Sequence, residues 1–223
     1  LTLGVVTASH KNHWQDHLGR FFSVGTVSLP TFWVAMLFQL IFYSMLKMLP
    51  IGGRLSMNIQ LMYKIPTVTG FMLLDTLLAG NMTAFKDAFL HILMPCITLA
   101  LYPIGTVARM TRSSLLEILN EDYIKAAQSY GIKRRIILWK YALKNSLGST
   151  VTIVALSIGY TLVNTFLVES IFNWPGLGSY ISDAVMNMDY PAIMGVTLFS
   201  AVAYVVLNTV ADIIVAMDPR VRV

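Results

Sequence analysis

The stretch FLHILMPCITLALYPIGTVA, residues 89–108, runs for twenty residues without one Asp, Glu, Lys or Arg. At 1.5 Å per residue a helix of that length covers about 30 Å, the thickness of a bilayer's hydrocarbon core. Its apolar residues show no two-residue alternation, and in lipid only helices and closed barrels satisfy every backbone group. The run therefore reads as a transmembrane helix. Pro95 and Pro103 lie within it, as membrane helices tolerate when neighbouring groups satisfy the freed carbonyls.

Three more runs share this character: Val24–Leu46, which contains Pro30, Leu147–Val168 and Ala192–Met217. The expected fold is all-α, a polytopic transmembrane helical bundle with four complete spans in one domain, residues 1–223. The composition agrees. Of 223 residues, 56% are hydrophobic and 12% charged, about half the charged fraction of a soluble domain. The opening LTLGVVTA is apolar but too short to span, and it lacks the charged start of a signal peptide. It reads as the stub of a helix whose beginning is missing, so a chain truncated at its N-terminus is expected.

Net charge is +5, and the placement of that charge argues for topology rather than nucleic acid. Lys11 and Arg20 precede the first span, eight basic residues lie between 109 and 146, and Arg220 and Arg222 close the chain. These are twelve of the sixteen Lys and Arg, and all fall on one side if four helices alternate. Only Lys47, Arg54, Lys64 and Lys86 fall on the other. The positive-inside rule places the twelve, and the C-terminus, in the cytoplasm. Residues 47–88 and 169–191 then become outer loops, the first carrying a short amphipathic stretch, TGFMLLDTLLAGN.

Within the cytoplasmic segment 109–146, DYIKAAQSYGIKRR (122–135) is unusually polar for this chain. Asn120 is placed to cap a helix with Glu121 and Asp122 in its first turn, and Gly131 to end it in the left-handed conformation. A helix of about ten residues, some 15 Å long, is expected. Tyr123, Ala127 and Tyr130 recur at i, i+4, i+7 on one face with Ala126 beside them, where small side chains allow another surface to approach closely. After the glycine, Ile132, Ile136, Trp139 and Leu143 form a second apolar stripe among Lys133, Arg134, Arg135, Lys140 and Lys144, suited to the headgroups of a lipid bilayer.

KAAQSYG resembles the core of the EAA loop, the Glu-Ala-Ala, three residues, Gly signature of membrane subunits of bacterial ABC importers. Lys125 stands in place of the glutamate, Ala126, Ala127 and Gly131 match, and only Leu143 survives of the later Ile-x-Leu-Pro. EDYIKAAQSYGIKRRIILWKYALKNSL, ESIFNWPGLGSYISDAVMNMDYPAIMG, NTVADIIVAMDPRVR, SLPTFW, GGRL and TGFMLLD extend the resemblance, to the dipeptide/oligopeptide/nickel permease family, over essentially the whole chain. The resemblance implies a type I importer half-channel for peptides or nickel chelates. Its partners would be a second homologous permease, two cytoplasmic ATPases and an external solute-binding protein. Asp122, Tyr123, Lys125, Ala126, Ala127, Tyr130 and Gly131 would form the coupling helix seated on an ATPase. The chain itself carries no G-x-x-x-x-G-K-[ST], so it is expected to be no enzyme and to need no cofactor.

Other candidates are weaker. Asp212 is an acid well inside a span, with Asn208 four residues earlier on the same face, and a structural tie near the cytoplasmic end is expected of it. Tyr160, Thr161 and Asn164 are polar positions midway along the third span, fit for helix packing or for lining a pathway. His10, His13 and His17 share a helical spacing with Asp16 between them, but on a short loop they read as solvated residues and no metal site is expected. His91 reads as hydrogen-bonded helix packing. The single Cys96 excludes a disulfide framework, and the thirteen Met read as pliable packing. The rival reading is a secondary transporter or channel that works without a motor, which would place its charges at mid-membrane. A membrane scaffold is a third.

Overall fold

The computed structural model describes residues 1–216; Met217, Asp218, Arg220 and Arg222 lie outside the described residues. Among the described residues eleven α-helices and two π-helical stretches follow one another without a strand. They are α1 (Thr2–Ser9), α2 (Trp14–Ser28), α3 (Thr31–Phe38) continued by a π-helical stretch Gln39–Met45, α4 (Met57–Met62), α5 (Met72–Leu78) and α6 (Met82–Ile118). Then come α7 (Asp122–Ser129), the single turn α8 (Arg134–Ile136) with a π-helical stretch Ile137–Ala142, α9 (Leu143–Ile171), α10 (Leu177–Met186) and α11 (Tyr190–Ala216). Two helices, α6 and the Tyr190–Val210 part of α11, are long and apolar enough to cross a membrane, and four spans result if two broken pairs each count as one.

One broken pair corrects the span expected at 24–46. Its helix begins at Trp14, stops at Ser28 and restarts at Thr31. Leu29 and Pro30 are both extended, with ψ near 131° and 132°. Proline has no N–H to donate and drives the residue before it out of the helical region. Pro30 instead starts α3, its carbonyl accepting the N–H groups of Trp33 and Val34 at 3.0 and 3.1 Å. Pro95 and Pro103, by contrast, lie inside the continuous α6. The segment 169–191 is also not one loop, because α10 occupies its middle.

The chain divides into two compact units: residues 1–29, 101–162 and 200–223, and residues 30–100 and 163–199. The first is built on a cluster of Val5, Ala8, Leu115, Ile124, Ala127, Ile137, Leu138 and Ala142. Polar side chains join its helices as well. The Ser114 and Ser149 hydroxyls lie 2.7 Å apart between α6 and α9, and Asp16 of α2 takes both Nε and Nη2 of Arg112 from α6, at 2.6 and 2.8 Å.

The second unit centres on Ala35, Met94, Val168 and Phe172. Its loops are clasped by single residues. A Cβ on Gly52 would lie 2.1 Å from the Phe172 carbonyl oxygen, so the turn can pass there only as glycine. Glu169 accepts the N–H of Gly178 at 2.6 Å at the start of α10, and Asp87 accepts both the N–H and the hydroxyl of Ser56 at 2.6 and 2.7 Å. His91 is buried with Nδ1 2.8 Å from the Asp87 carbonyl, which is the packing role expected of it. Asp75, in α5, accepts the hydroxyl and N–H of Thr69, both at 2.7 Å, and the N–H of Gly70 at 3.1 Å. The Thr69 hydroxyl above all, then these amides, hold its carboxyl below the usual carboxylate range.

Candidate functional site

The polar stretch folds as expected into a short helix, α7, but its ends and faces differ from the sequence reading. Its N-terminal boundary residue is Glu121, which makes no side-chain capping bond. Asn120 does not cap it; its amide donates to the Leu116 carbonyl at 2.9 Å and so closes α6. The C-terminal end is built as the sequence suggested. Gly131 has φ +74°, its N–H meets the Gln128 carbonyl at 2.9 Å, and the Ile132 N–H reaches back to Ala127 at 3.2 Å. These are the two bonds of a Schellman closure. Nothing lies within 4 Å of the position a Cβ would take, so torsion alone asks for glycine there.

The expected face of Tyr123, Ala127 and Tyr130 does not form. Ile124 is completely buried and Ala127 nearly so, both in the first unit's cluster, whereas Tyr130 is 86% exposed. Residues three apart share a helix face. Burying Ile124 alone stabilises the docked helix by about 1.5–3 kcal/mol, and that fixes which face turns inward. Tyr123 is tied differently, its hydroxyl accepting the Asn145 amide at 2.8 Å from α9. The outward face therefore carries Asp122, Lys125, Ala126 and Ser129, flanked by Tyr130. Lys125 Nζ lies 2.8 Å from Asp122 Oδ1, and that hydrogen bond and charge hold the Asp122 carboxyl below its ordinary range. The face is thus polar, nearly neutral and low in relief around Ala126. Ile124 and Asn145 escaped the sequence reading. Ile124 was visible as the i−3 partner of Ala127, but nothing local marks Asn145.

The second apolar stripe is also displaced. Ile137, Leu138 and Ala142 are buried, while Ile136 and Trp139 are 43% and 49% exposed. The π-helical winding of 137–142 accounts for the shift, because its wider turn moves the inward face off a 3.6-residue period.

The remaining candidates do not converge. Tyr160 stacks on Tyr102 with centroids 3.9 Å apart, and Thr161 donates to the Ser157 carbonyl at 2.8 Å while lining a groove of about 250 Å³ with Pro103 and Val154. Asn164 is half-buried and belongs to the other unit. Asp212 is exposed, and among the described residues no hydrogen bond joins it to Asn208. His10 and His13 meet edge to face at 6.3 Å, and His17 Nδ1 lies 3.4 Å from an Arg20 nitrogen.

Long apolar helices joined by shorter ones define a multi-span α-helical membrane protein. Residues 1–223 match the binding-protein-dependent transport system inner membrane components, and the chain belongs to that family. It is 40% identical over 223 residues to a probable D,D-dipeptide transport system permease protein of Escherichia coli (strain K12), covering 99% of this chain and 64% of that protein. Identity is 36% over 223 residues to a di/tripeptide transport system permease protein of Pseudomonas aeruginosa (strain UCBPP-PA14), covering 100% and 65%. A putrescine export system permease protein of E. coli (strain K12) is 30% identical over 220 residues, covering 97% and 67%. The chain spans 64% and 65% of the lengths of the two peptide permeases.

Proposed function

We propose that this chain is a membrane-spanning subunit of an ATP-binding-cassette importer. It forms half of a translocation pathway for short peptides and receives mechanical work from cytoplasmic ATPases through α7. The observation that carries the reading is the outward face of α7. Asp122, Lys125 and Ser129 beside Ala126 form a polar surface whose one ion pair leaves no net charge, on a helix whose opposite face is anchored by Ile124 and Ala127. That arrangement suits a helix that docks on one partner while passing displacement to its own chain. The peptide assignment follows the two peptide permeases; the putrescine relative marks solute choice as the most variable part of the reading.

The expected assembly is two permease subunits, two ATPases and an external solute-binding protein, with α7 and the C-terminus on the cytoplasmic side, where twelve of sixteen Lys and Arg fall. Tyr160, Thr161, Asn164, Asn208 and Asp212 are retained as candidates for the pathway or for contact with the second permease. The exposure of Asp212 favours the contact, since an acid facing lipid is costly.

The test is affinity purification of the tagged chain from its own membrane, followed by uptake of a labelled dipeptide, and separately of a nickel chelate, into vesicles. An ATPase subunit should co-purify, and dipeptide uptake should need ATP. Ala126→Asp should leave membrane abundance unchanged and remove the ATPase, because a charged carboxylate must be desolvated in the contact. Uptake that proceeds without ATP, driven by an ion gradient, would refute the importer reading in favour of a secondary transporter.

A further inference from the structure

Between α2 and α6, within the first unit, lies a cavity of about 670 Å³. Its lining combines three cationic side chains, Arg20, Arg109 and Arg112, with the apolar Phe21, Val24 and Ala108. Arg112 is already neutralised by Asp16. Among the described residues Arg20 and Arg109 make no ion pair, and no carboxylate lines the cavity. Arg20 does have a neighbour that orients it, His17 at 3.4 Å. Beside the cavity the surface of α2 is strongly apolar, with Phe21 80% and Leu18 57% exposed.

Two guanidinium groups without a direct ion-pair partner, in a cavity lined also by Phe21 and Val24 and lying beside an apolar surface of α2, match an amphiphile with an anionic head. Guanidinium pairs with phosphate oxygens through two parallel hydrogen bonds, and basic pockets between membrane helices hold anionic headgroups. We propose that this cavity binds the phosphate headgroup of an anionic phospholipid between Arg20 and Arg109, with an acyl chain along Phe21 and Val24. The inference rests on membrane insertion of α2 and α6 and is independent of ATPase coupling. A soluble phosphate offers the same headgroup chemistry without the chain, and the apolar part of the lining is what selects the lipid.

Gly25 makes the site testable without touching its charge. It lines the cavity, and nothing lies within 4 Å of where its Cβ would be, so Gly25→Phe adds a ring at the cavity's edge without a clash, to compete with the lipid for that space. The experiment purifies the protein with its accompanying subunits in mixed phosphatidylglycerol–phosphatidylcholine bilayers and counts retained lipid by native mass spectrometry. Phosphatidylglycerol should be retained selectively over phosphatidylcholine. The Arg20→Gln/Arg109→Gln pair should weaken that retention about thirtyfold, from about fivefold per cation removed. Gly25→Phe should abolish it with both arginines in place. Lys64→Gln/Lys86→Gln, which removes equal charge from exposed positions of the other unit, should leave it intact. The proposal is overturned if the two charge-removing pairs act alike, if Gly25→Phe retains the lipid, if phosphatidylglycerol is not preferred, or if inorganic phosphate displaces it.

Discussion

The Asp16–Arg112 pair joins residues 96 positions apart and carries a prediction about asymmetry. Asp16 has no exposed side-chain surface, whereas Arg112 keeps 20% of its own. Removing either partner strands the other, and a broken buried pair costs about 3–5 kcal/mol. The two losses are unequal. In Asp16→Leu the stranded guanidinium can turn toward water, which places the cost at the lower end, about 3 kcal/mol. In Arg112→Met the stranded carboxylate keeps the Asn12 N–H at 3.0 Å and the more distant charge of Arg20, neither of which replaces two guanidinium hydrogen bonds, and this places the cost toward the upper end, about 5 kcal/mol. For a chain of this size each kcal/mol lowers the melting temperature by about 2–4 °C. Falls of about 6–12 °C and about 10–20 °C should therefore separate the two variants. The double variant should melt above Arg112→Met, since it strands no charge. The assay is thermal unfolding of the detergent-extracted protein, followed by loss of monodispersity, for both single variants and the double. A double variant whose loss equals the sum of the singles, or an Asp16→Leu less stable than Arg112→Met, would refute the reasoning.

Two further outcomes follow from the same geometry. Ala127→Asp should fail differently from Ala126→Asp: its carboxylate enters an apolar cluster, so membrane abundance and thermal stability should fall together, while the exposed Ala126→Asp should stay within about 0.5 kcal/mol of the parent. Equal stability of the two variants in a melting assay would contradict the assigned inward face. Asp75 has a depressed pKa, so the stability it contributes is complete above the ordinary carboxylate value of about 3.9 and is lost as pH falls through its lowered folded value. Hydrogen exchange at the Thr69 and Gly70 amides, corrected for intrinsic rates, should show constant protection from pH 7 to 5 and loosening only in stronger acid; loosening between 7 and 5 would contradict it.

What the sequence made legible is what the bilayer imposes. A twenty-residue uncharged run such as 89–108 has few other fates, and the helix observed there simply extends further, from Met82 to Ile118. The end of α7 was also readable, because a Gly after a short amphipathic run names its own torsion. The direction α7 faces was not. Tyr123, Ala127 and Tyr130 made as good a stripe as Ile124 and Ala127, and only docking against Val5 and Ala8, more than a hundred residues earlier, decides between them. The break at Leu29–Pro30 looked no different in sequence from Pro95 and Pro103, which remain inside a helix. The displaced stripe after Gly131 arose because a 3.6-residue period was assumed where the backbone winds more widely.

The joint at residues 130–132 also has a mechanical meaning. A glycine between two helices is often a slack hinge that absorbs motion. This one is braced on both sides, by the bonds from Gly131 to Gln128 and from Ile132 to Ala127, and Ile132 packs on the same cluster that holds Ile124. Bending it would break both braces and lift Ile132 from its seat. A push on the outward face of α7, as the proposed ATPase contact would deliver, would therefore be carried around the corner as torque, with the eight-residue helix, about 12 Å long, as the lever arm.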